Sequence, residues 1–474
     1  MHTLESWLRR ANRDAPAVID DTEAVSYGEL LQRSGALAAA LNARFGRDTY
    51  LLIRAEKTLA FVATLIAVSR SGNIPVPVDP DAPDKLIVDI AERCGGATLV
   101  DPAELSAAAE DVADIDVSDA DTALVLFTSG TSGTPKGVPV SWQNLEHSVA
   151  TVSGYLGYAE HRSAAVVLPL HYSYALLTQL FCMLFVGGVV RLFGSFRNPI
   201  KFAKAVEQQS IATFCGVPTT YKALIAIHRL SSLSMPSMRV LCSAGAAMDR
   251  TMMAEIGEMF PNAAFFDNYG MTEATPRISY IRSDDPKFRE PTCGRAIAGL
   301  EVRVMDPDTH EALPDGQQGL VAVRGPNVFA GYLNDPRSTR AAFTADGFLL
   351  SGDSGCIRDG YIYLAGRADE IFNVGGEKVA PLEIERAFAE HPAVVASAVS
   401  KIEDANRGTQ AVAYVELSDE VRREELIQFL RDWLPPAKIP TFYYQVSSWP
   451  LTPNGKLQRS RLAPDGDNVV SEIA

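Results

Sequence analysis

The stretch Leu126-Phe-Thr-Ser-Gly-Thr-Ser-Gly-Thr-Pro-Lys-Gly-Val138 sets hydroxyls, glycines and one lysine between two apolar runs. Leu124 to Phe127 reads as a short apolar strand. Thr128, Ser129, Thr131, Ser132 and Thr134 supply hydroxyl donors, Gly130 and Gly133 let backbone N–H groups approach a ligand, and Lys136 adds a positive charge. A strand that opens into such a loop is suited to cradling phosphate oxygens. It is not the common P-loop, in which Gly-Lys-Ser/Thr opens a helix, because Pro135 precedes Lys136 and Gly137 follows it. A solvated Ser/Gly linker is the alternative reading, and the apolar flanks argue against it.

The surrounding 474 residues are ample for a large core and a second domain. A formal charge of −15 leaves nothing basic enough to track a phosphate backbone, so nucleic acid is not an expected partner. The six cysteines are scattered without a Cys-x-x-Cys, which argues against a zinc site and a disulfide framework and fits a reducing, cytoplasmic setting. The first ten residues hold no apolar run, so no secretory signal is expected. Ala164 to Val190 is long and apolar like a membrane span, but Pro169, His171, Gln179 and Gly187-Gly188 interrupt it. We read it as a strand over 164–168, a buried helix over 175–186 and a strand over 189–193, with no membrane span.

Elsewhere short apolar runs alternate with amphipathic stretches. Helical patterns cover 27–45, 58–71 and 84–94, and strand patterns cover 50–53, 74–78 and 97–100. This alternation predicts α/β layering on mostly parallel sheet. From Gly294 to Val323 the pattern changes to strands over 300–306 and 319–323, with turn residues between them. A third region begins near Asp369: a helix over 381–390, strands over 394–400 and 410–417, and a helix over 422–433.

Four further motifs carry candidate chemistry. In Asp267-Asn-Tyr-Gly-Met-Thr-Glu-Ala274, Tyr269 offers a face that could stack on a base, and Glu273 is a lone carboxylate suited to Mg²⁺ that also touches phosphate; a strand-to-helix turn with a capping acid reads equally well. In Leu350-Ser-Gly-Asp-Ser-Gly355, Asp353 could accept both hydroxyls of a ribose or close an Asx-turn. Arg367 can bond a ribose or a phosphate, and Gly375 and Gly376 permit a tight turn and close approach, although the same segment reads as an interdomain linker. Lys456 follows a Pro-Asn-Gly turn, from which it could reach a distant site or stay solvated.

Together these motifs resemble the adenylate-forming superfamily of acyl-CoA synthetases, non-ribosomal adenylation domains and luciferases. The resemblance runs through Gly72-Asn-Ile-Pro-Val-Pro-Val-Asp-Pro80, the Ser/Thr/Gly loop, Ser243-Ala-Gly-Ala-Ala247, Tyr269-Gly-Met-Thr-Glu273, Ser351-Gly-Asp353, Gly366-Arg367 and Asn454-Gly-Lys456. It implies an α/β fold: a large N-terminal domain over 1–368, of layered mostly parallel sheets with a small antiparallel barrel-like subdomain, and a small mobile α+β C-terminal domain over 369–474. It implies condensation of a carboxylic acid with ATP to an acyl-adenylate and pyrophosphate, then transfer to the thiol of CoA or, alternatively, to the phosphopantetheine of a separate acyl or peptidyl carrier protein.

By the same resemblance, Ser129 to Lys136 hold the β- and γ-phosphates, and Tyr269 packs on adenine with Ser243, Ala244, Gly245 and Ala246 lining the other side. Asn268 lies near the adenine amino group, with Gly270 and Met271 beside the nucleotide. Thr272 and Glu273 hold phosphate and Mg²⁺, Asp353 and Arg367 bind the ribose, and Lys456 bridges the substrate carboxylate and the α-phosphate. Asp369 matches the hinge about which the family's C-terminal domain turns, bringing the Asn373–Val379 loop, with Gly375 and Gly376, beside the thiol tunnel. One departure is Asn373, where many relatives carry lysine.

Amino-acid-activating relatives place an aspartate near the position of Tyr174 to pair with the substrate ammonium. No Asp or Glu occurs between Leu168 and Gly188. An ammonium buried there would have no counter-ion. The expected substrate is therefore an acid without an α-amino group, such as a fatty, short-chain or aryl acid. His171 matches the position that gates or lines the acyl pocket, or else it packs structurally on the phosphate loop.

Overall fold

The computed structural model describes residues 4–101, 121–129, 135–196, 198–246, 248, 250–374, 377–404, 408–451 and 457–473. Packing divides the chain into two units, Met1–Glu301 with Val323–Leu349, and Val302–Ala322 with Leu350–Ala474. The expected boundary at Asp369 falls inside the second of these, in the short turn Ala368–Glu370.

The first unit is built on a nine-stranded sheet. Its parallel heart runs from Ala264–Tyr269 through Val240–Ser243, Thr213–Gly216, Ser163–Val166 and Val189–Leu192 to Pro16–Ile19. Ala24–Ser26 closes one edge, and Ser279–Arg282 with Arg295–Ala296 closes the other, all antiparallel. The central strands are short and apolar because both faces are covered. On one face Phe202, Phe214, Tyr221, Leu241 and Met259 form a core with the helices Pro199–Gln208, Pro218–Ser231 and Arg250–Met259. A second core joins Leu59–Arg70, Trp142–Tyr155 and the segment from Ser173 to Phe185. A separate sheet of three parallel strands holds Ile74–Val78, Tyr50–Arg54 and Thr98–Val100, as their patterns predict.

Two local features differ from the sequence reading. The buried helix expected over 175–186 starts at Ser173, and its middle, Leu176–Phe181, is a π-helical turn. Such turns interrupt helices often at functional sites. The phosphate-loop strand is one arm of a hairpin: Thr122–Ser129 pairs antiparallel with Pro135–Ser141, setting Lys136 opposite Thr128. Gly130, Thr131, Ser132, Gly133 and Thr134 lie outside the described residues.

A four-stranded sheet orders Glu301–Met305, Gly319–Arg324, Leu349–Arg358 and Tyr361–Arg367. Beyond it the second unit has another four-stranded sheet, Val394–Asp404, Gly408–Leu417, Phe442–Val446 and Val469–Glu472. The helices Pro381–Ala389 and Arg423–Arg431 bury Ile384, Phe388, Leu426 and Leu430 against Tyr443 and Val415. Pro381 stands in the first helical turn, where its missing N–H costs nothing. Among the described residues no helix is long and apolar enough to cross a membrane.

Candidate active site

In an open parallel sheet the carboxyl ends of the strands are where ligands bind. Ala264–Tyr269 ends there, and the chain then folds tightly on itself. A Cβ at position 270 would lie 1.8 Å from the Pro276 carbonyl oxygen, so only glycine fits. Thr272–Ala274 makes one turn of 3₁₀ helix, and Thr275 takes a left-handed φ of 48°. The Ile278 N–H donates back to the Tyr269 carbonyl at 2.9 Å.

Buried asparagines pin this loop. Asn327, fully buried, donates its amide to the carbonyls of Ala274 at 2.7 Å and Arg277 at 2.8 Å. Asn144 in turn donates to the carbonyls of Pro326 at 2.7 Å and Val328 at 3.0 Å, fixing the segment that carries Asn327. The Phe329 N–H holds the Glu273 carbonyl at 2.9 Å.

The buried Glu273 accepts a hydrogen bond on Oε1 from the Tyr332 hydroxyl at 2.9 Å. Its other oxygen makes no hydrogen bond among the described residues. The Lys136 ammonium lies 4.9 Å from the centroid of the same Tyr332 ring. Tyr332 thus joins two expected phosphate-site residues, and the sequence reading missed it. Thr272 Oγ1 is 3.0 Å from Ser173 Oγ, which ties the loop to the start of the π-interrupted helix. Among the described residues no three His, Cys, Asp or Glu side chains gather as a metal cage. A single carboxylate with one uncommitted oxygen fits Mg²⁺ that arrives on a polyphosphate and keeps most of its own shell.

Asn268 is engaged within the fold. Its amide donates to the Ser243 and Phe266 carbonyls at 3.1 and 2.9 Å, and its oxygen accepts from Tyr155 at 2.9 Å. Ser243 Oγ is buried without a hydrogen bond among the described residues; Ala244 is buried, and Gly245 and Ala246 are exposed. Tyr269, Met271 and Thr272 are half-buried around Gly270.

The His171 ring packs tilted at 49° against Tyr172, with centroids 4.1 Å apart, and its Nε2 lies 3.8 Å from Asp79 Oδ2. Burial holds its pKa below the ordinary imidazole value, with Asp79 opposing, so the ring is neutral at neutral pH. Arg277 is a second residue the sequence reading passed over. It is 1% exposed, and its guanidinium centre lies 5.4 Å from the ring centroid of Tyr174.

In the second unit Asp353 and Arg367, both expected at the ribose, are direct ladder partners. Arg367 Nη1 is 3.7 Å from Asp353 Oδ1 and donates to the Ser351 carbonyl at 3.2 Å, while Nε donates to Asp369 at 3.2 Å. Gly352, at φ 76°, leaves room for that guanidinium: a Cβ would come within 2.8 Å of Nη2. Gly375 and Gly376 lie outside the described residues, between the paired strands Phe372–Val374 and Glu377–Val379. Lys456 also lies outside them. Leu451 and Leu457, which flank 452–456, form an antiparallel bridge. Arg459, not foreseen, bonds both carboxylate oxygens of Glu385, Glu370 at 3.1 Å and the Val399 carbonyl at 3.0 Å.

The family model described as AMP-binding enzyme matches residues 4–333, and that of the AMP-binding enzyme C-terminal domain matches residues 383–456. The chain belongs to this adenylate-forming family and is an AMP-forming acid–thiol ligase of the acyl-CoA synthetase type. It is 31% identical over 490 residues to a feruloyl-CoA synthase of Amycolatopsis sp, covering 97% of this chain and 98% of that one. It is 30% identical over 357 residues to a 4-coumarate–CoA ligase of Pinus taeda, covering 72% and 65%. ATP-bound MatB from Rhodopseudomonas palustris shares the fold with a TM-score of 0.87 at 27% identity, over 97% of each chain.

Two predictions follow from the pinned loop. Asn327→Ala leaves the Arg277 carbonyl without a donor and the Ala274 carbonyl with the Arg277 N–H alone, and an unsatisfied buried group costs about 1–3 kcal/mol. Urea unfolding should show a loss in that range or above, with pyrophosphate release falling alongside; parent-like stability would contradict the latch. Asp267 gives a pH test. Burial pushes its carboxyl up to about 7, against an opposing backbone hydrogen bond and Arg277. The folded state then holds a proton that the unfolded state releases from about pH 4. Stability therefore falls as pH rises toward 7. Asp267→Asn removes that loss, so its melting temperature should gain on the parent more at pH 8 than at pH 5.

Proposed function

We propose that this enzyme condenses ATP with a carboxylic acid lacking an α-amino group and passes the acyl group to the thiol of CoA. The observation that carries the substrate reading is the charge beside Tyr174. The segment from Leu168 to Gly188 has no Asp or Glu, and the ion against Tyr174 is the cation of Arg277. A substrate ammonium brought there would meet like charge in an enclosed setting. CoA as acceptor is supported by relatives named feruloyl-CoA synthase and 4-coumarate–CoA ligase, the first aligned over nearly the whole chain.

In the first half-reaction a carboxylate oxygen attacks the α-phosphorus, and the bond to the bridging oxygen breaks, so pyrophosphate leaves with the electron pair. Ser129 to Lys136 would hold the β- and γ-phosphates, and Tyr332 keeps Lys136 and Glu273 in register. Mg²⁺ bound through Glu273 would neutralise phosphate charge. Asp353 and Arg367 would hold the ribose, and Lys456 would sit between the carboxylate and the α-phosphate, where negative charge accumulates. In the second half-reaction the CoA sulfur attacks the acyl carbon and AMP departs; a swing about Asp369 would exchange Lys456 for the Asn373–Val379 loop.

Removing a contact made only in the transition state costs about 10²–10³ in rate. Lys456→Ala should therefore lower pyrophosphate release by that factor, yet leave thioester formation from a supplied acyl-adenylate largely intact. Pyrophosphate release at the parent rate would refute the role of Lys456. The function itself is tested with matched pairs, propionate against alanine and phenylacetate against phenylalanine, with and without CoA. The deaminated member of each pair should be preferred, with an acyl-CoA as product. Preference for an amino acid, or a thioester formed only on a carrier protein, would overturn the reading.

A further inference from the structure

We propose that Arg277 receives a second carboxylate of the substrate, so that the acid activated by this enzyme is a dicarboxylic acid. The inference rests on the adenylation reading above and names the substrate class of that site.

A guanidinium does not deprotonate in a protein, so Arg277 is a permanent cation at 1% exposure. Its Nε and Nη2 are buried and make no hydrogen bond among the described residues. No carboxylate among them comes within the 4.0 Å of an ion pair with it. What faces it is the Tyr174 ring, Tyr155 and the Cys242 thiol, held in the neutral form by burial, and the soft Cys215 thiol, which hydrogen bonds and Arg277 draw down against burial. Asp267 feels its field, but burial favours the protonated, uncharged form of that carboxyl. A ring face is a weaker partner than the hydrogen-bonded anion a buried guanidinium ordinarily takes.

The helix that carries Tyr174 has the same deficit. The Tyr174 hydroxyl is buried without a hydrogen bond, and so are both amide atoms of Gln179 in the π-turn of the same helix. Native interiors leave few such groups, and those that remain call for a ligand or water. Arg277 is also placed for substrate rather than for the distant core. It closes the loop that carries Thr272 and Glu273, past the carboxyl end of the strand Ala264–Tyr269, whose last residue pairs with Ser279. Asn327 and the Ala274 carbonyl fix its backbone, so the charge is held in place before anything binds. A fork of N–H donors enclosed by apolar and aromatic groups matches a carboxylate bidentately.

The test measures pyrophosphate release for acids paired with their monoacid counterparts: succinate with butyrate, adipate with hexanoate, and the three benzenedicarboxylates with benzoate. In the parent, kcat/KM for at least one diacid should exceed that of its partner. Arg277→Met should lower that ratio by about a hundredfold, chiefly through KM, as a buried anion loses its partner. Arg277→Lys should recover part of it. Parent preference for the monoacid in every pair would overturn the inference, as would an unchanged ratio in a Met variant that melts like the parent. If the Met variant does not fold, the parent preference and the Lys variant decide. Release with monoacids alone sinks only the Arg277 assignment. Release with no acid of either kind sinks the adenylation reading and this inference with it.

Discussion

The segment from Gly270 to Arg277 can hold its shape only because its inward carbonyls have donors. A chain that turns back on itself at the end of a buried strand exposes backbone oxygens to a dry interior, where each unpaired one is costly. Asn327 satisfies two of them with one side chain, and Ser148 donates to a third, at Thr275. Asn144 then secures the backbone that carries Asn327. Gly270 permits the chain to cross against Pro276. With those contacts made, Glu273 and Arg277 leave one pinned loop four residues apart, a carboxylate that would serve phosphate-bound metal and a guanidinium that would serve the acid.

That pairing addresses an electrostatic problem of the reaction. Both substrates of an acid-activating enzyme are anions, while this chain carries a formal charge of −15. A like-signed surface does not attract them, so the favourable field must come from a few enclosed cations. Lys136 lies against Tyr332, and Arg277 lies against Tyr174. An aromatic face partners a cation without neutralising it, as a carboxylate would. Each charge stays available for an incoming phosphate or carboxylate.

Much of this organisation is legible in the sequence where the signal is local. Alternating apolar runs mark the parallel strands, and Pro381 marks a helix start. Lys136, Glu273, Asp353 and Arg367 stand within glycine-rich motifs whose chemistry can be read in place. The supporting residues cannot be read that way because their partners are remote. Tyr332 meets Glu273 across 59 positions, and Asn144 reaches Pro326 across 182. Arg277 adjoins a recognisable motif, yet a sequence does not say whether an arginine faces water or is sealed inside. The π-turn at Leu176–Phe181 is equally silent, since a uniformly apolar stretch fits either helical geometry.

In the second unit a different device, a multiply bonded arginine, holds the chain near the proposed catalytic lysine. Arg459, three residues beyond Lys456, is bound by both oxygens of Glu385 on the helix Pro381–Ala389 and by Glu370. Burial raises the Glu370 carboxyl while Arg459 draws it down. Buried ion pairs add little net stability, because desolvation offsets attraction, but breaking one leaves an uncompensated charge. Their use here is registry. Glu370 follows Asp369, which is bonded to Arg367, which in turn faces Asp353. One continuous line of charges therefore runs from the pair that would hold the ribose to the anchor of the segment bearing Lys456. That line lies within a single packing unit, so the Asp353–Arg367 pair and Arg459 belong to one packed body.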